Sequence, residues 1–184
     1  MARYLSSKPG LTAQYARLRG MPQIPVTLAD CSTLTLTAGG QNVLIKEIVE
    51  QFCPRWTPGG RILYVGDAGK DDPILDRQGL ADLGVRLDKH GKLPDLVIHA
   101  MDRGWLVLLE AASSHGPVDS KRQAELAKLF ADCTAGLVYV SCFPSREVMR
   151  RFLSDIAWET DVWCADDPSH LIHFNGERFL GPHV

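Results

Sequence analysis

The sequence predicts an α/β protein built on a mixed β-sheet flanked by helices. Three observations carry that prediction. Residues 41–52, "QNVLIKEIVEQF", put Leu44, Ile45, Ile48 and Phe52 on one helical face. Residues 120–133 do the same with Leu126, Leu129, Phe130 and Cys133 at i, i+3, i+4 and i+7. Between these helices, "LPDLVIHAMDRGWLVLLEAAS" (residues 93–113) reads as two apolar strands around an Asp102-Arg103-Gly104 turn. Its second strand, the second helix and the apolar run "GLVYVSCF" (residues 136–143) form a strand–helix–strand crossover. Such a crossover favours parallel, right-handed pairing and strands covered on both faces.

The other elements follow in chain order. Residues 1–36, rich in Gly, Pro, Ser and Thr, read as an extended arm or linker remnant with a short helix near residues 12–18. The domain proper then spans residues 37–184. "CPRWTPGG" ends the first helix, and "RILYVGD" (residues 61–67) is a strand closed by Gly66. A short helix is expected over residues 75–83. Asp119 or Ser120 caps the second long helix, and Ser145 caps "REVMRRFLSDIAW". The tail "DVWCADDPSHLIHFNGERFLG" reads as one or two strands ending in an Asn175-Gly176 turn.

Composition narrows the class. A chain of 184 residues fits one domain, and 45% hydrophobic against 23% charged residues is an ordinary globular balance. No apolar run approaches the roughly 20 residues that span a bilayer, and "MARYLSSKPG" lacks the apolar core of a signal peptide. A cytoplasmic protein with no membrane partner is the expectation. The five cysteines are scattered and never spaced as CxxC, which argues against a zinc or disulfide framework. With a net charge of −2, contact with a nucleic acid needs a local positive face.

The 93–113 hairpin carries the chemistry. Directly opposed residues in an antiparallel hairpin share a constant sum of numbers, so a turn centred between Asp102 and Arg103 sets Asp95 against Glu110. Opposed Cβ atoms lie about 4.5–5.5 Å apart on one face. Two carboxylates that close repel unless a cation sits between them, and Mg²⁺ with oxygen ligands resolves the conflict. Shifting the turn by one residue sends the acids to opposite faces, and two separately solvated strand ends is the plain alternative. Asp67, at the end of another strand, could bring a third acid to the same edge.

Pro94-Asp95, a turn, Glu110, then helix and strand is the layout of PD-(D/E)XK nucleases. More specifically, "LYVGDA", "KLPDLVIH", "WLVLLEAASSHGPVDSKRQAEL", "GLVYVSCFPSRE" and "IAWETDVWCADDPSHLIHFNGERFLGP" resemble the C-terminal catalytic domain of BsuBI/PstI-type restriction endonucleases. The resemblance covers residues 37–182. It implies a PD-(D/E)XK restriction-endonuclease-like core and a type II deoxyribonuclease that uses Mg²⁺ to cut double-stranded DNA within a short CTGCAG-like palindrome. It also implies that Asp95 and Glu110 hold the metal. Members usually carry an N-terminal helical domain that this chain lacks, and Thr where Ala68 stands.

The motif lysine belongs two residues after the second acid, where this chain has Ala112. Lys121 and Arg122, at the start of the next helix, are the nearest replacements. They could equally clamp phosphate, a task for which arginine's fork is suited, or simply be solvated. His115, in the "SSHGP" loop, is a candidate for proton transfer or phosphate contact, with Ser113 and Ser114 weaker candidates. Glu50 could add a metal ligand from the first helix. His170 and His173 alternate on a strand but lack a third ligand, and Trp105, Trp158 and Trp163 read as core. Palindrome cutting needs two active sites about a two-fold axis, so a homodimer is expected. The alternatives are a structure-specific repair nuclease on the same scaffold and a catalytically impaired DNA-binding descendant, the latter motivated by Ala112 and by the N-terminal domain expected to be absent.

Overall fold

The computed structural model describes residues 23–67, 74–87, 92–113 and 116–175. It begins with an antiparallel hairpin, β1 (Ile24–Thr27) and β2 (Thr33–Leu36), in the region expected to be a loose arm. Val26 and Leu36 are fully buried in the main core, so residues from 24 onward belong to the domain. The short helix expected near residues 12–18 lies outside the described residues.

A long helix follows: α1 (Gly40–Glu47), a π-helical stretch over Ile48–Phe52, and α2 (Cys53–Trp56). "CPRW" continues the helix rather than ending it. Pro54 lacks an N–H, and its ring crowds the carbonyl four residues back. The wider turn just upstream, where Cys53 N donates to Ile48 O, makes room for it.

The central sheet has seven strands: β3 (Arg61–Val65), β4 (Ile74–Leu75), β5 (Leu96–Ala100), β6 (Trp105–Ala111), β7 (Gly136–Phe143), β8 (Thr160–Cys164) and β9 (Leu171–Phe174). Their order is β4-β3-β5-β6-β7-β8-β9. β6–β7 and β7–β8 are parallel and the other pairs antiparallel, the β6–β7 pairing being the one that the crossover predicts. Three further helices are α3 (Arg77–Asp82), α4 (Ser120–Leu129) and α5 (Arg146–Arg150). Asp119 caps α4 and Ser145 caps α5, each accepting a backbone N–H three residues on.

Strand alternation gives the sheet two apolar faces. Leu96, Ile98, Val107 and Leu109 pack with Leu44, Ile45, Ile48 and Phe52 under α1 and the β1–β2 hairpin. Val97, Leu106 and Leu108 pack on the other side with Leu126 and Phe130 of α4 and Leu80 of α3. A helix therefore reaches the same sheet edge from each side. Of the tryptophans read as core, Trp163 is fully buried, but Trp158 is 66% exposed and Trp105 lies at the surface under the Arg103 guanidinium. No helix among the described residues is long and apolar enough to cross a membrane.

Candidate active site

The β5–β6 hairpin turns through Met101–Gly104, closing on the pair Ala100↔Trp105, with Gly104 at φ +64, where glycine carries no steric penalty. The register runs to Leu96↔Leu109, and one step further it sets Asp95 opposite Glu110. The two acids thus share one face at the end of the sheet, as the constant-sum rule requires. Asp95 stands just ahead of β5, and its backbone carbonyl accepts from Gly66 N at 2.8 Å, which ties it to the end of β3.

Each carboxylate is held by named donors. Asp95 Oδ2 accepts from the Ala111 N–H at 2.7 Å, and Oδ1 accepts from Gln41 Nε2 at 2.7 Å. Glu110 Oε1 accepts from Nε of Arg122 at 2.7 Å, and Nη2 lies at ion-pair distance from the same oxygen, 2.7 Å away. Nη2 also donates to Leu93 O at 3.0 Å, so the guanidinium bridges Glu110 to the backbone leading into β5. Glu110 and Arg122 are only 13% and 14% exposed. Burial, and then the Asp95 charge, push the Glu110 carboxyl up to about 7, although Arg122 and Lys92 pull it down.

The two replacement candidates for the motif lysine separate cleanly. Arg122 lies one helical turn before the buried Leu126 and points inward to Glu110, whereas Lys121 is 85% exposed and faces Glu125 at 3.8 Å. Ala112 itself is buried against Phe143, Met149 and Ile156, an apolar nest with no room for an ammonium group. Arg122 instead brings its guanidinium to Glu110 from α4, which covers the same sheet face.

Asp67 reaches the expected edge but turns elsewhere. Its oxygens accept from Thr37 N at 2.8 Å, from Thr37 Oγ1 and from Asn42 Nδ2 at 2.9 Å. Among the described residues no three His, Cys, Asp or Glu side chains gather as a metal set, so the structure does not bring Asp67 together with Asp95 and Glu110. Glu50 accepts from Thr27 N at 2.9 Å and faces Lys46, which directs it to the β1–β2 hairpin. His170 pairs with Asp167 and His173 with Asp161. His115 and Ser114 lie outside the described residues, and Ser113 makes a backbone turn to Ala111 O.

Sequence reasoning missed Gln41 and Lys92. Lys92 stands three residues ahead of Asp95 and close enough to influence Glu110, and a basic residue just before a proline-aspartate pair was a usable signal. Gln41 gives none, because a glutamine at a helix start is common.

The donor set suits a hard divalent cation. Two carboxylates face each other across one register step, one of them raised by burial and then by the other's charge, and Asp95 uses one lone pair on each oxygen for its N–H donors. Each of those oxygens keeps a second lone pair, and oxygen donors of this kind match Mg²⁺ or its like.

The seven-stranded mixed sheet, with this acid pair at its end, is a restriction-endonuclease-like core. The solved structure of SdaI restriction endonuclease superposes with a TM-score of 0.81 at 50% identity, over 88% of this chain and 51% of that one. The type II restriction enzyme BsuBI of Bacillus subtilis is 52% identical over 183 residues, covering 100% of this chain and 58% of the relative. The type II restriction enzyme AplI of Arthrospira platensis is 29% identical over 184 residues, covering 96% and 56% respectively. The chain belongs to the BsuBI/PstI restriction endonuclease domain family, whose model matches residues 24–177. It spans a little over half the length of the curated relatives it matches.

Proposed function

We propose that this chain is the catalytic part of a type II restriction endonuclease that hydrolyses double-stranded DNA within a short CTGCAG-like palindrome, with Mg²⁺ as cofactor. The observation that carries the reading is the Asp95–Glu110 pair on one face of the sheet end, with Arg122 locked onto Glu110. The family supports a nuclease, and the inward Arg122 supports it too, since it puts a cation on Glu110 despite the absence of a lysine at position 112.

Cleavage requires a water to attack phosphorus in line as the P–O bond to the leaving oxygen breaks. Asp95 and Glu110 would hold the metal, which, when bound, supplies a Lewis acid that polarises the phosphate and acidifies water. The rest falls to the chain. Arg122 cannot act as a base, since a guanidinium stays protonated. It fixes Glu110 through one N–H donor and a close ion pair, and holds positive charge where negative charge accumulates on the phosphoryl oxygens. Lys92, exposed beside the site, adds a cation on the approach path of a polyanion. Asp67 takes a structural part, through Thr37 and Asn42. A palindrome presents two scissile bonds, so the cutting species is a homodimer, which sedimentation of the DNA complex would show as two protein copies per duplex.

The test is single-turnover digestion of end-labelled duplexes with and without CTGCAG, in Mg²⁺, followed by mapping of the ends. Cutting at one fixed position in each strand of one palindrome supports the reading. Cutting at branches or flaps irrespective of sequence would assign the chain to the structure-specific nucleases instead.

A further inference from the structure

Gln41 and Asp67 have no part in the chemistry above, yet both are tied to it by short contacts. Asp67 fastens the segment entering α1: it accepts from the Thr37 N–H, the Thr37 hydroxyl and the Asn42 amide. The Asn42 amide also donates to Thr37 O at 2.8 Å and to Thr37 Oγ1 at 3.0 Å. All three side chains are buried. Asn42 Oδ1, also buried, finds no partner among the described residues. The residue before Asn42 is Gln41, and its amide reaches Asp95 Oδ1 at 2.7 Å.

Asp67 therefore pins the start of α1 to the end of β3, while the same end of β3 holds the Asp95 backbone through Gly66. Helix start and acid are referenced to one strand end. We propose that Gln41 is a positioning residue of the metal site: its amide fixes the Asp95 carboxylate so that the remaining lone pairs face Glu110, and the Asp67–Thr37–Asn42 knot sets its reach. Outer partners that orient metal-ligating groups typically matter about 10–100-fold in metal affinity. The inference rests on the reading of Asp95 and Glu110 as the metal-holding pair.

The experiment is a titration of DNA-free protein with Mn²⁺, bound metal being read by electron paramagnetic resonance, alongside thermal melts without metal. Gln41→Met keeps the length and bulk of the side chain but removes the donor. It should weaken Mn²⁺ binding about 10-fold or more with an unchanged melting temperature. Asp67→Ala should weaken Mn²⁺ binding and also lower the melting temperature, because it undoes the knot. Asp95→Ala separates the two claims. If Asp95→Ala binds Mn²⁺ as wild type does, the metal-site reading fails. If Asp95→Ala loses binding while Gln41→Met retains it, only the positioning role is overturned. A Gln41→Met protein with wild-type Mn²⁺ affinity but weaker binding to duplex DNA would make Gln41 a DNA contact and would equally overturn the proposal.

Discussion

Replacing Glu110 with Gln removes a charge that the fold holds at a cost. In the folded chain its carboxyl is pushed from 4.5 up to about 7, first by burial and then by Asp95, with Arg122 and Lys92 only partly offsetting. An acid raised in this way binds more protons folded than unfolded between about pH 4.5 and about pH 7. Stability contributed by the group therefore falls as pH rises through that window and stays low above it. At about 1.4 kcal/mol per pH unit, the loss is about 3 kcal/mol on the alkaline side. Gln is close in shape to the protonated acid, still accepts from Arg122, and does not titrate. Glu110→Gln should thus match wild type near pH 4.5 and exceed it by up to about 3 kcal/mol at pH 8, or several degrees of melting temperature for a chain of this size. The assay is a set of thermal melts in EDTA between pH 4.5 and pH 8. A difference between the two proteins that does not change with pH, or a variant less stable than wild type at pH 8, would refute the reasoning.

The remaining predictions concern the same edge and the core behind it. Arg122→Ala should lower single-turnover DNA cleavage about 10²–10³-fold, the size of effect seen when a charge-stabilising donor is removed. Lys121→Ala should stay within about twofold of wild type in the same assay. Mg²⁺ should raise the melting temperature of wild type more at pH 8 than at pH 5, because only the ionised pair needs a counter-cation, and Asp95→Ala should lose that response. Leu109→Ala, at a fully buried position opposite Leu96 in the core shared with α1, should cost about 2–5 kcal/mol in a urea denaturation curve.

Much of this site was legible because hairpins obey arithmetic. With "MDRG" as the turn, the pairing of Asp95 with Glu110 follows, and the apolar strand–helix–strand run sets β6 parallel to β7. Helix phase also held a usable signal. Arg122 is four residues before Leu126, on the buried face, while Lys121 is not, and that spacing alone could have chosen between them. What stayed hidden depends on tertiary contacts. The β1–β2 strands are four residues each, rich in Thr and interrupted by Pro25, so their periodicity is too short to separate them from a linker. Pro54 reads as a stop locally, but packing of Phe52 against Trp163 at 5.8 Å sustains the helix through a π-turn. Asp67 follows β3 in the sequence, and only the position of Thr37 and Asn42 across the chain decides where its carboxylate turns.

The account stands most directly on Asp95 and Glu110 forming one metal-dependent cutting site. The measurement is digestion of a plasmid bearing CTGCAG sites by wild type and by Asp95→Ala, each in Mg²⁺ and in EDTA. The account predicts discrete fragments from wild type in Mg²⁺ alone and none from Asp95→Ala. Fragments in EDTA, or equal cutting by Asp95→Ala, would contradict it.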